Sequence, residues 1–374
     1  KEVLDEEEEL VLTVNIDNLR EEGAPERDPE WVFQHTFPSE SVRTLIRTLS
    51  SVVDKRLSGC FLIKGGYGTG KSHLLLLIYH LLKKEGRKPA VEWLERWKAF
   101  FTGVDLQLAK SLVEGAPEIY PLVISTKGKG GRYKYLWEFV LKELGNEGEK
   151  ALEAIRAQTV EGRSPDWDAI TDAISGLAND RFFLLILDEL DEWIEELEEA
   201  VEANYFFIDK LAEAFGSKKI DGLFICSLRQ PSRELEAKFE RAQPEYFYPG
   251  KSEDRSTIIR FRLFRESDEE DRKVIRELAK TYVESYKRIF DVIEVDPGFE
   301  KFPPLGEDME ALQERFSGMW PLHPRLVDAI LVRYDQLKEE AKEGIRGPLF
   351  IFIDLLEKLE EVPITAGLAD YRIE

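Results

Sequence analysis

The feature that most constrains this chain is a glycine-rich segment placed between an apolar run and a leucine-rich run. Residues 65–72 read Gly-Gly-Tyr-Gly-Thr-Gly-Lys-Ser, after the apolar run 60–63 and before the leucine-rich run 74–82. This order predicts a strand, a tight loop and a helix, the context in which the pattern G-x-x-x-x-G-K-[ST] binds phosphate. Glycines allow the backbone to turn with positive φ, so that its N–H groups can surround an anion.

The residue types of this loop predict a nucleoside triphosphate as the ligand. We expect Lys71 to reach the β- and γ-phosphates and the Ser72 hydroxyl to ligate Mg²⁺, so that ATP and Mg²⁺ are the expected cofactors. The alternative, a glycine-rich turn without a ligand, is disfavoured because every fixed position of the pattern is present. The predicted nucleotide-binding residues are Gly65, Gly66, Tyr67, Gly68, Thr69, Gly70, Lys71, Ser72 and His73.

A second motif supplies two carboxylates. Residues 182–187 form an unbroken apolar run, typical of a strand buried on both faces of a parallel sheet, and Asp188 and Glu189 follow it directly. Ligands of open α/β sheets bind at the carboxyl ends of the strands. We therefore predict that Asp188 holds the Mg²⁺ ion through water and that Glu189 orients and deprotonates the attacking water. Asp191 and Glu192 are interpreted as helix-start charges or supporting acids.

The remaining apolar patterns of the chain predict an α/β fold. Apolar runs predict strands at 120–125 and at 223–227, the second ending in Ser227, and a more exposed last strand at 255–263. A short strand is expected at 11–16, and from residue 268 onward the period is helical. These elements predict a parallel five-stranded sheet between helices, followed by a helical domain.

Composition limits the partners and the compartment. The chain has 374 residues, 52 basic and 74 acidic, for a formal charge of −22, which disfavours general binding to nucleic acid or anionic membrane. Cys60 and Cys226 lie in separate apolar runs, so a disulfide framework is not expected and a cytoplasmic protein is favoured. No transmembrane run is visible. Because the chain begins at Lys1 without Met, we expect a fragment or a trimmed chain.

Two local patterns leave their function open. The most basic stretch, 127–135, interleaves lysines, glycines and tyrosines, so it fits either a nucleic-acid backbone, the phosphates of a neighbouring subunit's ligand, or a solvated loop. The aromatic residues at 93, 97, 100 and 101 are spaced as in a helix. Burial against the core is favoured for them over a base-stacking platform.

The order of these parts resembles that of the AAA+ ATPases, in particular the origin-recognition and STAND-like branch. Within it, Thr36-Phe37 ahead of a helix, and residues 64–73 running into 77–80, look like the large ATPases of BREX-type phage-defence systems. The resemblance covers most of residues 31–340. It implies a three-layer αβα P-loop core with strand order 5-1-4-3-2 and an α-helical lid after it.

The resemblance also implies further site residues. Ser227 matches the sensor 1 position, and Arg325, after Pro324 at a helix start, looks like sensor 2, which would reach the γ-phosphate from the lid. Self-association through the ATP sites is implied too, with an arginine finger from the adjacent subunit that is worth about 10³–10⁵ in rate. The remaining implied residues are Arg241 or Arg255 as the finger, Ser125 or Thr126 as the polar switch for the catalytic glutamate, and 36–38 as the adenine pocket.

The predicted domains are an N-terminal arm at 1–30, an ATPase core at 31–265, a helical lid at 266–347 and a C-terminal helix and tail at 348–374. The spacing between Lys71 and Asp188 is long for the resembled class, and we attribute it to helical insertions near 87–115 and 145–167.

Three functions follow from the motifs. The first is Mg²⁺-dependent ATP hydrolysis coupled to movement of the lid, in an oligomer acting on DNA or a DNA-bound complex. The second is an ATP-controlled assembly switch with little turnover. The third, a phosphotransferase to a small molecule, is disfavoured because Glu189 directly after Asp188 suits activation of water.

Overall fold

The described residues of the chain form two compact units, the first ending before residue 252 and the second beginning at Ser252. The helix that begins at Ser252 belongs to the second unit, whereas the predicted division between core and lid was at 265/266. The computed structural model describes residues 14–54, 59–101, 103–158, 166–179, 181–249, 252–264, 269–292, 309–337 and 344–359.

The first unit is built on a parallel sheet of five strands in the order β2-β3-β4-β1-β5, which confirms the predicted order. Every residue of β3 and β4 is buried, as expected for central strands covered by helices on both faces. The strands are β1 (Gly59–Lys64), β2 (Ile119–Ser125), β3 (Phe182–Asp188), β4 (Gly222–Leu228) and β5 (Glu245–Phe247).

Helices surround this sheet and fill the long connections predicted from the spacing of the two motifs. Two of them, α4 and α5, lie between α3 and β2, and three more, α6 to α8, lie between β2 and β3. The helices of this unit are α1 (Pro29–Gln34), α2 (Glu40–Asp54), α3 (Lys71–Leu82), α4 (Arg87–Arg96), α5 (Gly103–Gly115), α6 (Leu136–Glu143), α7 (Asn146–Gln158), α8 (Trp167–Ala178), α9 (Leu190–Glu195), α10 (Val201–Gly216) and α11 (Arg233–Ala237).

The second unit is helical in its described residues. Its small apolar core joins Ala279 and Val283 of α13 to Leu312 and Phe316 of α14. The helices are α12 (Ser252–Leu263), α13 (Glu269–Val292), α14 (Met309–Met319), α15 (Pro324–Leu337) and α16 (Arg346–Leu359).

The prediction of a strand at 255–263 is wrong, because this segment lies in α12. Its buried residues are Arg255, Ile259 and Leu263, which are spaced by four and so share one face of a helix. The fifth strand is instead β5, three residues in a segment predicted as a loop between Pro244 and Pro249. Such a short strand leaves too little alternation to be recognised from sequence.

The predicted N-terminal strand also needs correction. Residues 11–13 lie outside the described residues, and Ile16–Arg20 is a 3₁₀ helix rather than part of a strand. Asp17 of this helix accepts a hydrogen bond from the N–H of Ser125 at 3.2 Å, so the segment packs beside β2. The described residues from 14 to 30 are therefore part of the first unit.

The aromatic stretch after α3 contributes to the core, as favoured above. Trp93, Trp97 and Phe101 are buried, and Trp93 donates to the carbonyl oxygen of Thr36 at 2.9 Å. Phe100, with 41% of its surface exposed, contacts Phe37 edge-on. Both cysteines are buried free thiols in β1 and β4, as predicted.

Candidate functional site

The glycine loop connects β1 to α3 in the predicted strand–loop–helix order. Gly68 and Gly70 adopt positive φ angles of 71° and 94°, in the left-handed region that favours glycine. A Cβ at Gly65 would lie 2.8 Å from the Thr69 hydroxyl oxygen, and that hydroxyl donates to the Gly66 carbonyl oxygen at 3.0 Å. The tight packing of the loop therefore depends on its glycines.

Lys71 opens α3 and turns back over the loop. Its Nζ donates to the carbonyl oxygens of Gly65 at 2.8 Å and Gly66 at 3.0 Å, and the side chain is buried. Burial lowers the pKa of Lys71, while the negative charges of Asp188 and Glu189 oppose that effect. The loop thus encloses an ammonium group beside two carboxylates.

Asp188 lies at the end of β3, where the motifs converge. One carboxylate oxygen, Oδ2, accepts from the Ser72 hydroxyl at 2.7 Å, and the other, Oδ1, accepts from the Ser227 hydroxyl at the end of β4. Burial raises the pKa of Asp188, whereas both serines and Lys71 act to lower it. Three segments far apart in sequence therefore meet at one carboxylate.

The pair Ser72 and Asp188 fits a Mg²⁺ site of the kind that takes few protein ligands. Both are hard oxygen donors, and Mg²⁺ prefers one or two such groups together with phosphate oxygens and water. Within the part of the chain that the structure describes, no cluster of three or more His, Cys, Asp or Glu side chains is arranged to hold a metal. The remaining ligands would therefore come from the nucleotide and from solvent.

Glu189 begins the turn from β3 into α9 in a left-handed backbone conformation, with φ 61° and ψ 43°. Residues other than glycine seldom adopt it, and its cost is of order 1–3 kcal/mol. The Glu189 N–H donates to the Ser227 hydroxyl at 2.8 Å, which helps to hold the turn. Burial raises the pKa of Glu189, Asp188 and Glu192 raise it further, and Lys127 opposes them.

The polar residues at the end of β2 reach β3 through its backbone. Both the N–H and the hydroxyl of Thr126 donate to the Asp188 carbonyl oxygen, at 2.9 and 2.8 Å. The side chain that contacts the Glu189 carboxylate is that of the next residue, Lys127, with 3.3 Å between Nζ and Oε1. The end of β2 therefore contacts the backbone of Asp188 through Thr126 and the carboxylate of Glu189 through Lys127.

Sequence reasoning missed a cluster around Glu192, formed by Tyr67, Lys127, Glu192 and Arg229. The Tyr67 hydroxyl donates to Glu192 Oε1 at 2.8 Å, and Arg229 Nη1 lies 3.3 Å from the same oxygen. Lys127 Nζ lies 3.3 Å from Glu192 Oε2. The available signal was spacing, because Glu192 follows Glu189 by three residues at a helix start and so lies on the same side.

The basic loop after β2 is largely paired within the chain. Lys129 contacts Asp17 at 2.9 Å, and Lys134 contacts Glu199 at 3.1 Å. The N–H groups of Gly128 and Gly130 donate to the carboxylate of Glu196 at 2.9 and 3.1 Å, just after α9. The loop therefore anchors the helix that follows Glu189.

The other predicted site residues lie in different surroundings. Thr36 is buried, and its hydroxyl oxygen lies 2.8 Å from His73 Nε2, next to the glycine loop. Arg241, with 67% of its side chain exposed, lies 3.5 Å from Asp209. Arg255 is buried in the second unit and donates to the Gly344 carbonyl oxygen at 3.0 Å. Arg325 lies in the first turn of α15, and its side chain is outside the described residues.

Comparison with known families places this chain. A family model described as the DUF499 N-terminal domain matches residues 1–248. The chain belongs to the DUF499 N-terminal domain family. The matched segment contains the glycine loop, Asp188, Glu189, Ser227 and the whole sheet of this DUF499 domain.

Other comparisons add little to the family assignment. No curated protein matches this chain. Among solved structures, PCH-2 from C. elegans aligns over 85% of this chain and 69% of its own, at 16% identity and a TM-score of 0.29, which is too low to support any inference. Among the described helices of the chain, none has the length and apolarity needed to cross a membrane.

Proposed function

We propose that this chain binds ATP with Mg²⁺ and hydrolyses it to ADP and phosphate. The observation that carries the proposal is the convergence of Lys71, Ser72 and Asp188, because Ser72 of α3 donates directly to the β3 carboxylate at 2.7 Å. A lysine in a glycine loop beside a carboxylate at a strand end is the arrangement that P-loop enzymes use for a triphosphate and its metal.

Each side chain would have a defined role in such a reaction. The loop N–H groups and Lys71 would bind the β- and γ-phosphates, and Ser72 and Asp188 would hold the metal. Mg²⁺ would neutralise charge that develops on the phosphate oxygens. Glu189, oriented by its N–H bond to Ser227 and by Lys127, would accept the proton of the attacking water.

Two substitutions test the proposal together. Lys71→Ala removes a buried ammonium group, and loss of such a partner costs 2 kcal/mol or more, or roughly 30-fold in nucleotide affinity. Glu189→Gln keeps the size of the side chain but removes its charge and its capacity to accept a proton, so it should retain ATP while hydrolysis falls about 10²–10⁴-fold. Lys83→Ala, at a partly exposed lysine that directly follows the same helix, is the matched control.

Binding by a fluorescent ATP analogue and release of phosphate distinguish the two effects. Unchanged affinity in Lys71→Ala would remove the phosphate-loop assignment, and normal turnover in Glu189→Gln would require another base. If the wild-type protein binds ATP and assembles on binding but does not hydrolyse it, the result would favour the assembly switch instead.

We further propose that the enzyme acts as an oligomer on DNA or on a DNA-bound complex, coupled to movement of the helical unit. This finer proposal rests on the resemblance to AAA+ ATPases and on the basic loop, and a phage-defence setting rests on the BREX resemblance alone. Pairing of Lys127, Lys129 and Lys134 with carboxylates leaves exposed Arg132 as the first residue to test for contact with a DNA phosphate.

A further inference from the structure

Glu192 is a buried carboxylate in the first turn of α9 that receives donors from three other segments. Tyr67 lies in the glycine loop, Lys127 lies in the loop after β2, and Arg229 directly follows β4. Only 11% of its side chain is exposed. A buried carboxylate needs such partners because an unpaired buried charge is strongly destabilising.

Lys127 is held at the same place from several sides. Its Nζ lies 3.3 Å from Glu189 Oε1, 3.3 Å from Glu192 Oε2 and 5.5 Å from the centre of the Tyr67 ring. Arg229 covers the Tyr67 ring as well, 4.7 Å from its centre. The Tyr67 ring is thus contacted by two cations that are both paired with Glu192.

These contacts matter because Lys127 by itself would be poorly fixed. Half of its side chain, 50%, is exposed, and an ion pair made by such a flexible side chain contributes only about 0–1 kcal/mol. A second carboxylate and an aromatic ring restrict the ammonium group to one position. In that position the ammonium group lies 3.3 Å from Glu189 Oε1 and so favours one orientation of that carboxylate.

We propose that Glu192 is a positioning residue for hydrolysis, which holds Lys127 against Glu189 and connects that base to the glycine loop through Tyr67. The inference rests on the proposed ATPase function and deepens it. Nucleotide bound in the glycine loop would lie against the segment that carries Tyr67, and Tyr67 shares Glu192 with the lysine that contacts the base. Glu192 acts through Lys127 and Glu189 and does not itself touch the reacting atoms.

Glu192→Gln tests this role with little change in shape. Glutamine can still accept the Tyr67 hydrogen bond, but it offers no negative charge to Lys127 or Arg229. We expect hydrolysis to slow by about 10–100-fold, since a shift of about 1 Å in a catalytic group can cost 10²-fold, while nucleotide affinity stays within about twofold. Glu195→Gln is the matched control, because Glu195 is 56% exposed and lies 3.4 Å from Arg229.

Two further variants show whether the effect passes through Lys127 and Glu189. Lys127→Met should lower turnover similarly, Lys127→Arg should restore much of it, and adding Glu192→Gln to Lys127→Met should cost little more because the two act in one path. In a Glu189→Gln background, Glu192→Gln should leave the residual rate unchanged. Additive losses, or a full effect without Glu189, would overturn the inference.

A readout without nucleotide turnover completes the test. In the apo protein, acylation of the Lys127 amine, followed by mass spectrometry with Lys134 as internal reference, should be faster in Glu192→Gln than in wild type. Thermal melting checks that each variant is folded. If Glu192→Gln does not fold, comparison of Lys127→Met with Lys127→Arg tests the positioning role instead.

The outcomes separate this inference from the proposed function. If wild type hydrolyses ATP and Glu189→Gln stalls, but Glu192→Gln turns over normally or faster, the positioning role is overturned while the ATPase stands. If wild type itself does not hydrolyse ATP, the proposed function falls and this inference falls with it. Unchanged acylation of Lys127 in Glu192→Gln would also contradict the positioning role.

Discussion

The backbone N–H of Glu189 donates to the hydroxyl of Ser227 at 2.8 Å, and the same hydroxyl donates to the Asp188 carboxylate. One buried side chain at the end of β4 thus holds both the backbone of the proposed base and the side chain of the proposed metal ligand. This arrangement compensates for the left-handed backbone of Glu189, which carries its own conformational cost.

Ser227→Ala should reduce both stability and turnover. It leaves the Glu189 N–H and Asp188 Oδ1 without this partner, which costs about 1–3 kcal/mol of unfolding free energy for buried groups. Turnover should fall because the base and the metal ligand lose their common support. Urea unfolding and phosphate release measure the two effects.

Ser50→Ala is the control for this prediction. Ser50 is also buried, and its hydroxyl donates to the Leu108 carbonyl oxygen at 2.8 Å, between α2 and α5. It should lose stability without slowing hydrolysis per folded molecule. If Ser227→Ala behaves like Ser50→Ala, the hydroxyl supports the fold alone.

Arg241 is the more accessible of the two candidates for the arginine finger. We therefore predict that Arg241→Ala slows hydrolysis and that mixing with a second variant restores it. A finger supplied to a neighbour is worth about 10³–10⁵ in rate. Mixing Arg241→Ala chains with Lys71→Ala chains would pair an intact glycine loop with an intact arginine, and activity should return. Turnover of Arg241→Ala alone at the wild-type rate would exclude this residue.

Arg255→Ala should act differently, because Arg255 is buried and donates to the Gly344 carbonyl oxygen. Its expected effect is on the melting of the helical unit. Rescue of Arg255→Ala by mixing, without a change in melting, would reverse the assignment of the two arginines.

If the loop after β2 binds duplex DNA, we expect Arg132 to account for part of the salt dependence of the affinity. Arg132→Met should lower the slope of log affinity against log salt by about 1, since each phosphate contact releases about one counterion. Lys129→Met should change it less, because Lys129 is already paired with Asp17 at 2.9 Å. Titrations at several salt concentrations test this, and equal slopes in all variants would remove the loop as a DNA contact.

Because of His80, we expect the unfolding free energy to fall on mild acidification. It is buried, and its Nε2 lies 2.8 Å from the Glu26 carbonyl oxygen, which requires the proton on Nε2. Burial lowers its pKa from 6.5 to about 4. Between those two values the unfolded chain binds a proton that the folded chain excludes, so the unfolding free energy falls as the pH drops, by roughly 3 kcal/mol in total.

His80→Gln isolates this contribution, because glutamine keeps a donor for the Glu26 carbonyl but does not titrate. Urea unfolding at about pH 7 and about pH 4.5 should show a smaller loss in the variant than in wild type. Parallel losses in both proteins would mean that other groups account for the acid sensitivity.

The core strands and the nucleotide motifs were predictable because their signals are local. The apolar runs before Gly65 and before Asp188 are strong enough to identify buried parallel strands, and a helical period separates them. The family-like order of parts then led to the sheet order 5-1-4-3-2, which the structure confirms. The segment 255–263 was predicted wrongly because its helical period is weak. Only Arg255, Ile259 and Leu263 show the four-residue spacing of buried positions, and one of these three is charged.

The sequence by itself determined the glycine loop, the carboxylates after β3 and the α/β class, because each depends on residues that are neighbours along the chain. Only the tertiary structure decided that Lys127 contacts Glu189 and that Tyr67 and Arg229 share Glu192. Those partners are separated by 62, 125 and 37 residues in the chain. Side chains so far apart meet only after the parallel sheet has brought its strand ends to one edge, and no local pattern encodes that meeting.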